Sequence, residues 1–132
     1  MGVSYYLDLL DNTITKSGKG LTEHIKNNLN KCTDIIVVMS EATLHSQWVP
    51  FEVGMSAQKD MPTATYLERS IPLPEFLQYW PRLKTPSDIC KYVLMKQKVE
   101  AKAIHKRLFE SATFRSQESQ TAEFYAALKK VL

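Results

Sequence analysis

The chain has 132 residues, 44% of them hydrophobic and 23% charged, with a formal net charge of +3. That length suits one domain with a core that needs no staples, and the composition excludes a disordered, collagen-like or disulfide-built chain. Nothing in the sequence resembles a secretory leader or an 18-residue apolar span, and Cys32 and Cys90 lack metal or disulfide spacing, so a reduced, cytoplasmic setting is expected.

The charge is uneven. Residues 1–90 hold 8 basic and 10 acidic side chains, a balance of −2, whereas residues 91–132 hold 9 and 4, a balance of +5. A basic tail suits nucleic acid, an acidic partner or a solvated helix face. Without aromatic residues interleaved among the basic ones, the solvated face is the simplest reading and no nucleic acid is expected.

In chain order, "VSYYLDLL" (3–10) is rich in Val and Tyr and reads as a strand. "DNTITKSGKG" (11–20) has two glycines and no apolar period, so it reads as an exposed loop, with Lys16 and Lys19 available to a pyrophosphate but without a phosphate-loop spacing. Thr22 is placed to cap a helix carrying Leu21, Ile25 and Leu29. "DIIVVMS" (34–40) is an unalternating apolar run, the signature of a parallel strand covered on both faces. Residues 41–46 read as a loop, Ser46 as the cap of a helix reaching about Lys59, and Pro50 as a first-turn residue. "TATYL" (63–67) is a further strand. Four prolines and three aromatics make 71–86 an irregular packed stretch with a short helix at 74–79; residues 87–112 and 118–131 read as helices, starting near Ser87 and near 117–119. Alternating strands and helices predict an α/β protein with a doubly wound parallel sheet, followed by a helical C-terminal segment.

The stretch that carries chemistry is "SEATLHSQWVPFEVG" (40–54). Trp48 and Glu52 are four apart and share a helix face. The preceding loop follows the carboxyl end of a parallel strand, where open α/β sheets place their ligand crevice. A carboxylate beside an aromatic wall suits the positive charge that grows on a ribose as an N-glycosidic bond breaks, by analogy with glycoside chemistry. The plainer alternatives stay open: Glu52 as a solvated helix residue, Trp48 as core, Ser46 as a cap. His24 and His105 read as solvated, His45 is a weak candidate for phosphate, and the two cysteines read as small hydrophobes.

"YYLDLLD" (5–11), "GLTEHIKNNLNKCTDIIVVMSEATLHSQWVPFEVG" (20–54), "ATYL" (64–67) and "LPEFLQYWPRLKTPSDICKYV" (73–93) together resemble bacterial Toll/interleukin-1 receptor (TIR) domain proteins, over roughly residues 3–95. The most specific element is Ser-x-Trp-x-x-x-Glu, here Ser46, Trp48 and Glu52. The resemblance implies a flavodoxin-like fold and an NAD-cleaving activity. Glu52 would be the catalytic residue, Trp48 and Ser46 would contact substrate, and the 11–20 loop would flank the site. The products would be nicotinamide plus ADP-ribose or a cyclised or base-exchanged relative. NAD would be the substrate, with no cofactor and no metal, and the implied settings are signalling or antiphage defence with self-association or pairing with other TIR domains, away from nucleic acid and membrane. The alternative is a non-catalytic TIR-type interaction module; a deoxyribosyltransferase-like enzyme shares only the fold class and a glutamate. The family normally opens with a further strand and helix ahead of "YYLDLLD". The expectation is therefore a TIR-like domain over 1–95, incomplete at its N-terminus, and a basic helical extension over 96–132.

Overall fold

The computed structural model describes residues 2–5, 18–67, 69–109 and 117–132, with the side chains of 117–119 outside the description. The chain divides into two compact units, Met1–Thr33 and Asp34–Leu132.

In the first unit, residues 2–5 are exposed and carry no regular structure, so the expected strand over 3–10 is absent from the part described; residues 6–10 lie outside it. Helix α1 spans Gly18–Leu29, taking in three residues assigned above to the loop, while 11–17, including Lys16, are outside the described residues. Lys19 is exposed on the first turn of α1. Ile25 and Leu29 are buried, as their four-residue spacing requires. Thr22 is inside the helix and not its cap: its hydroxyl donates to the Gly18 carbonyl at 2.6 Å, the back-bond open to a mid-helix threonine. His24 is half-buried and not solvated, with the Asn28 amide 3.1 Å from its Nε2 and donating to its carbonyl at 3.0 Å.

In the second unit the elements are β1 (Ile35–Val38), α2 (Glu41–Leu44), α3 (Trp48–Gln58), β2 (Thr63–Tyr66), a 3-10 turn (Glu75–Leu77), β3 (Arg82–Leu83), α4 (Pro86–Phe109) and α5 (Gln117–Lys129). The strands form one parallel sheet in the order β1-β2-β3, with Ile35 opposite Thr63 and Tyr66 opposite Leu83. The side-chain period of two then sorts each strand between two faces. Val37 joins Met39, Val53, Leu67 and Leu77 in one buried cluster, against which Ile35, Val49, Ile71, Leu73 and Trp80 pack. Ile36 packs instead on the cluster of Ala64, Leu83, Tyr92, Phe124 and Leu128. So α3 and the 71–80 segment cover one face, and α4 with α5 cover the other. Cover of β1 is partial: Val37 is buried, Ile35 and Ile36 are half-buried, and Val38 is 51% exposed at the carboxyl end.

Local chemistry sets the boundaries. Residues 41–46 are not all loop, because Ser40 caps the single-turn helix α2: its hydroxyl accepts from the Thr43 N–H at 3.3 Å while Thr43 Oγ1 accepts from the Ser40 N–H at 2.8 Å. Helix α3 closes on Asp60, whose φ of 51° is left-handed; the N–H of Asp60 reaches the Ala57 carbonyl and that of Met61 the Ser56 carbonyl, a Schellman closure built on aspartate. The start of α4 is set by Thr85 rather than Ser87. Thr85 Oγ1 accepts from the Asp88 N–H, Asp88 Oδ2 accepts from the Thr85 and Lys84 N–H groups, and Pro86 takes the first helical position. Lys91 adds an ion pair at 2.9 Å, and that bond first, then the backbone donors, hold the Asp88 carboxyl well below the usual carboxylate range.

One feature went unread in the sequence: the two-residue strand β3 hides in the proline-rich stretch. The short helix expected at 74–79 is present as the 3-10 turn over Glu75–Leu77. The residue 95 boundary expected above falls inside α4, and Phe124 and Leu128 of α5 lie in the same core as Ala64 and Leu83.

Candidate functional site

Beyond Val38, the chain leaves the sheet through Met39 and Ser40, turns through α2, and enters α3 at Trp48. Thr43 Oγ1 donates at 3.2 Å to the Val38 carbonyl, tying α2 to the strand's carboxyl end. Ser46 precedes the helix by one residue more than a cap would, since Gln47 holds the cap position. Its hydroxyl still accepts the Trp48 N–H at 3.2 Å, which satisfies one of the open donors of the first turn. Pro50 falls in that first turn, where its lack of N–H is harmless.

The helix presents two adjacent stripes. Val49, Val53 and Ser56 form the inner one: Val53 is in the core, and the Ser56 hydroxyl donates to the Val53 carbonyl at 2.8 Å and lies 3.2 Å from Thr63 Oγ1. Trp48, Glu52 and Met55 form the next stripe, all half-buried at the border between core and solvent. Trp48 meets Phe51 edge-on, ring centroids 5.9 Å apart. Trp48 and Glu52 are thus brought to one face, one turn apart, with Ser46 bonded to the backbone at the head of that face. His45 is exposed at the end of α2. Among the described residues, no group of three or more His, Cys, Asp or Glu side chains is placed to hold a metal ion. No helix among them is long and apolar enough to cross a membrane.

The opposite end of the sheet carries a network that sequence reasoning missed. Asp34, just before β1, accepts at Oδ1 from the Tyr92 hydroxyl at 2.8 Å and from Lys96 Nζ at 3.0 Å. Burial, then the Asp34 charge and hydrogen bond, push the Tyr92 phenol far up from its ordinary value. The Tyr125 hydroxyl accepts the Thr63 N–H at 2.8 Å, and its phenol is raised chiefly by burial. Thr121 Oγ1 donates to the Asp60 carbonyl at 2.8 Å. The available signal was the spacing of Tyr92 and Lys96, four apart on one helix face.

Comparison with known proteins agrees with the resemblance. Residues 8–65 match the family model described as Thoeris protein ThsB, TIR-like domain, a span that contains Ser46, Trp48 and Glu52 and ends within β2. No curated protein and no solved structure matches the chain. The parallel sheet with helices on both faces, and the family match running through β1, α3 and into β2, support a bacterial TIR-type domain over the matched span.

Proposed function

We propose that this protein acts in antiphage defence by cleaving the N-glycosidic bond between nicotinamide and ribose in NAD, with Glu52 as the catalytic carboxylate. The supporting observation is the position of Glu52: half-buried, one turn into α3, on the face of Trp48, following the carboxyl end of a parallel strand within the matched span. As nicotinamide departs with the bonding pair, C1 of the ribose and its ring oxygen become electron-poor, and an adjacent carboxylate lowers the energy of that state. Trp48 supplies an apolar wall that excludes water from one side, and Ser46 is a hydroxyl at the head of the same helix. Attack by water gives ADP-ribose; attack by a group within the substrate gives a cyclised product. The test is incubation of the purified chain with NAD, with free nicotinamide measured for the original protein and for Glu52→Gln.

A second reading, assembly without catalysis, is favoured by the exposed apolar residues of α4, among them Leu94, Ile104 and Leu108. In that case Glu52→Gln leaves the protein's behaviour unchanged, and self-association is the property to measure.

A further inference from the structure

Helix α4 has two apolar stripes, and only one is used inside the described unit. Tyr92, Met95 and Val99 pack with Phe124 and Leu128. On the other side, Cys90, Leu94, Gln97, Ala101, Ile104 and Leu108 recur at spacings of four and three, and all six are exposed, Leu94 and Ile104 at 55% and Leu108 at 71%. That is the a/d pattern of a coiled-coil seam, with Leu94, Ala101 and Leu108 at a and Cys90, Gln97 and Ile104 at d. Over these 19 positions it runs for roughly 27 Å.

We infer that this seam is a self-association surface, on which a second copy of the chain lays its own α4 parallel and in register about a two-fold axis. The flanking residues select both occupant and orientation, chiefly by which like charges each arrangement avoids. The e positions are Lys91, Lys98 and His105; the g positions are Val93, Glu100 and Arg107. In a parallel pair, each g residue faces the e residue five positions on in the other copy, which sets Glu100 against His105 and Val93 against Lys98. No like charges meet. An antiparallel pair joins e to e and g to g, which sets Lys98 against Lys98 and Glu100 against Glu100. The centre of the seam points the same way. Gln97 meets Gln97 only in the parallel register, where the two amides hydrogen-bond each other, and a single polar layer of this kind fixes register at some cost in affinity. Ala101, one layer on, lets the helices approach closely. Such an interface is isologous and closes at two copies. It is independent of NAD cleavage, so loss of either property leaves the other standing.

The experiment is sedimentation equilibrium of the full chain across a concentration series, with a short bis-maleimide used to join thiols and the joined peptides identified by mass. A monomer–dimer equilibrium is expected, with Cys90 joined to Cys90. Because the residues are exposed, Leu94→Lys and Ile104→Glu leave the circular dichroism spectrum intact, and each weakens dimerisation by at least about tenfold. Glu100→Lys weakens it about fivefold, and adding His105→Glu restores it by setting an opposite charge against the new lysine. A chain that stays monomeric throughout overturns the inference, as does a dimer indifferent to Leu94→Lys and Ile104→Glu. A dimer without the Cys90–Cys90 product overturns the parallel register. A monomer that pellets with phosphatidylserine vesicles also overturns the inference, by assigning the seam to a lipid surface.

Discussion

The two ends of the sheet are built on different terms. At the amino end, side chains from α4 and α5 reach across about sixty residues of sequence: Tyr92 and Lys96 to Asp34, Tyr125 to Thr63, Thr121 to Asp60. At the carboxyl end, the bonds around Ser40, Thr43, Ser46 and Trp48 span two to five residues. Long-range bonds fix where elements sit, while local ones shape a turn and leave neighbouring side chains at the border of solvent. The contrast is one of side-chain bonding: α4 and α5 tie the amino end through side chains from far along the chain. At the end that bears Trp48 and Glu52, long-range ties run between strand backbones, from the Met39 N–H to the Tyr66 carbonyl and from the Leu67 N–H to the Leu83 carbonyl.

The contrast breaks first if the scaffold end tolerates truncation. Phe124, 1% exposed and edge-on to Tyr92 at 4.9 Å, is the largest fully buried side chain on that side. Phe124→Ala should cost about 3–5 kcal/mol in urea unfolding, a large share of a typical domain's stability. A loss below 1 kcal/mol would mean that α5 is not part of the fold's foundation.

Next comes Tyr92→Phe, which removes a hydrogen bond to a charged acceptor and should cost about 1.5–3 kcal/mol at neutral pH. It also has a pH signature. The Tyr92 phenol is held above its ordinary value in the folded state, so its contribution is full below an unfolded value of about 10 and is lost as pH rises beyond it. The original chain should therefore lose stability above about pH 10 more steeply than Tyr92→Phe. Asp88 gives the opposite sign. Its carboxyl is depressed in the folded state, so its contribution is present above an unfolded value of about 4 and fades as pH falls below that. Asp88→Ala should be less stable at neutral pH and less pH-dependent in acid, as thermal melts at stepped pH would show.

A smaller effect of the other sign is expected at Thr65, where Oγ1 is buried on β2 without a hydrogen-bond partner. Thr65→Val keeps the shape and removes a desolvated hydroxyl, so unfolding free energy should rise by about 1 kcal/mol. A decrease would point to a partner for that hydroxyl.

The same contrast explains what could be read in the sequence. Contiguous, strongly patterned features were legible: the apolar run of β1, the α3 face bearing Trp48 and Glu52, and the periodic Phe124 and Leu128 of α5. Each depends on neighbours within one turn or one strand. What escaped notice depends on partners far along the chain. Nothing beside Asp34 announces Tyr92, 58 residues on, and β3 is a strand only because Arg82 and Leu83 find the edge of β2. Helix starts were misread where two hydroxyl or acidic residues compete: Thr85 outranks Ser87 because Asp88 answers it three residues on, and Thr22 bonds backwards to Gly18. Ser46 missed the cap by one residue and kept its bond to the Trp48 N–H.

The most direct test of the site is nicotinamide release from NAD by the full chain and by Glu52→Gln, with circular dichroism and melting temperature measured on both. The account expects release by the original chain and none above background from the variant, with the fold unchanged. Equal release from both proteins, or none from either, would contradict it and remove Glu52 from any catalytic role.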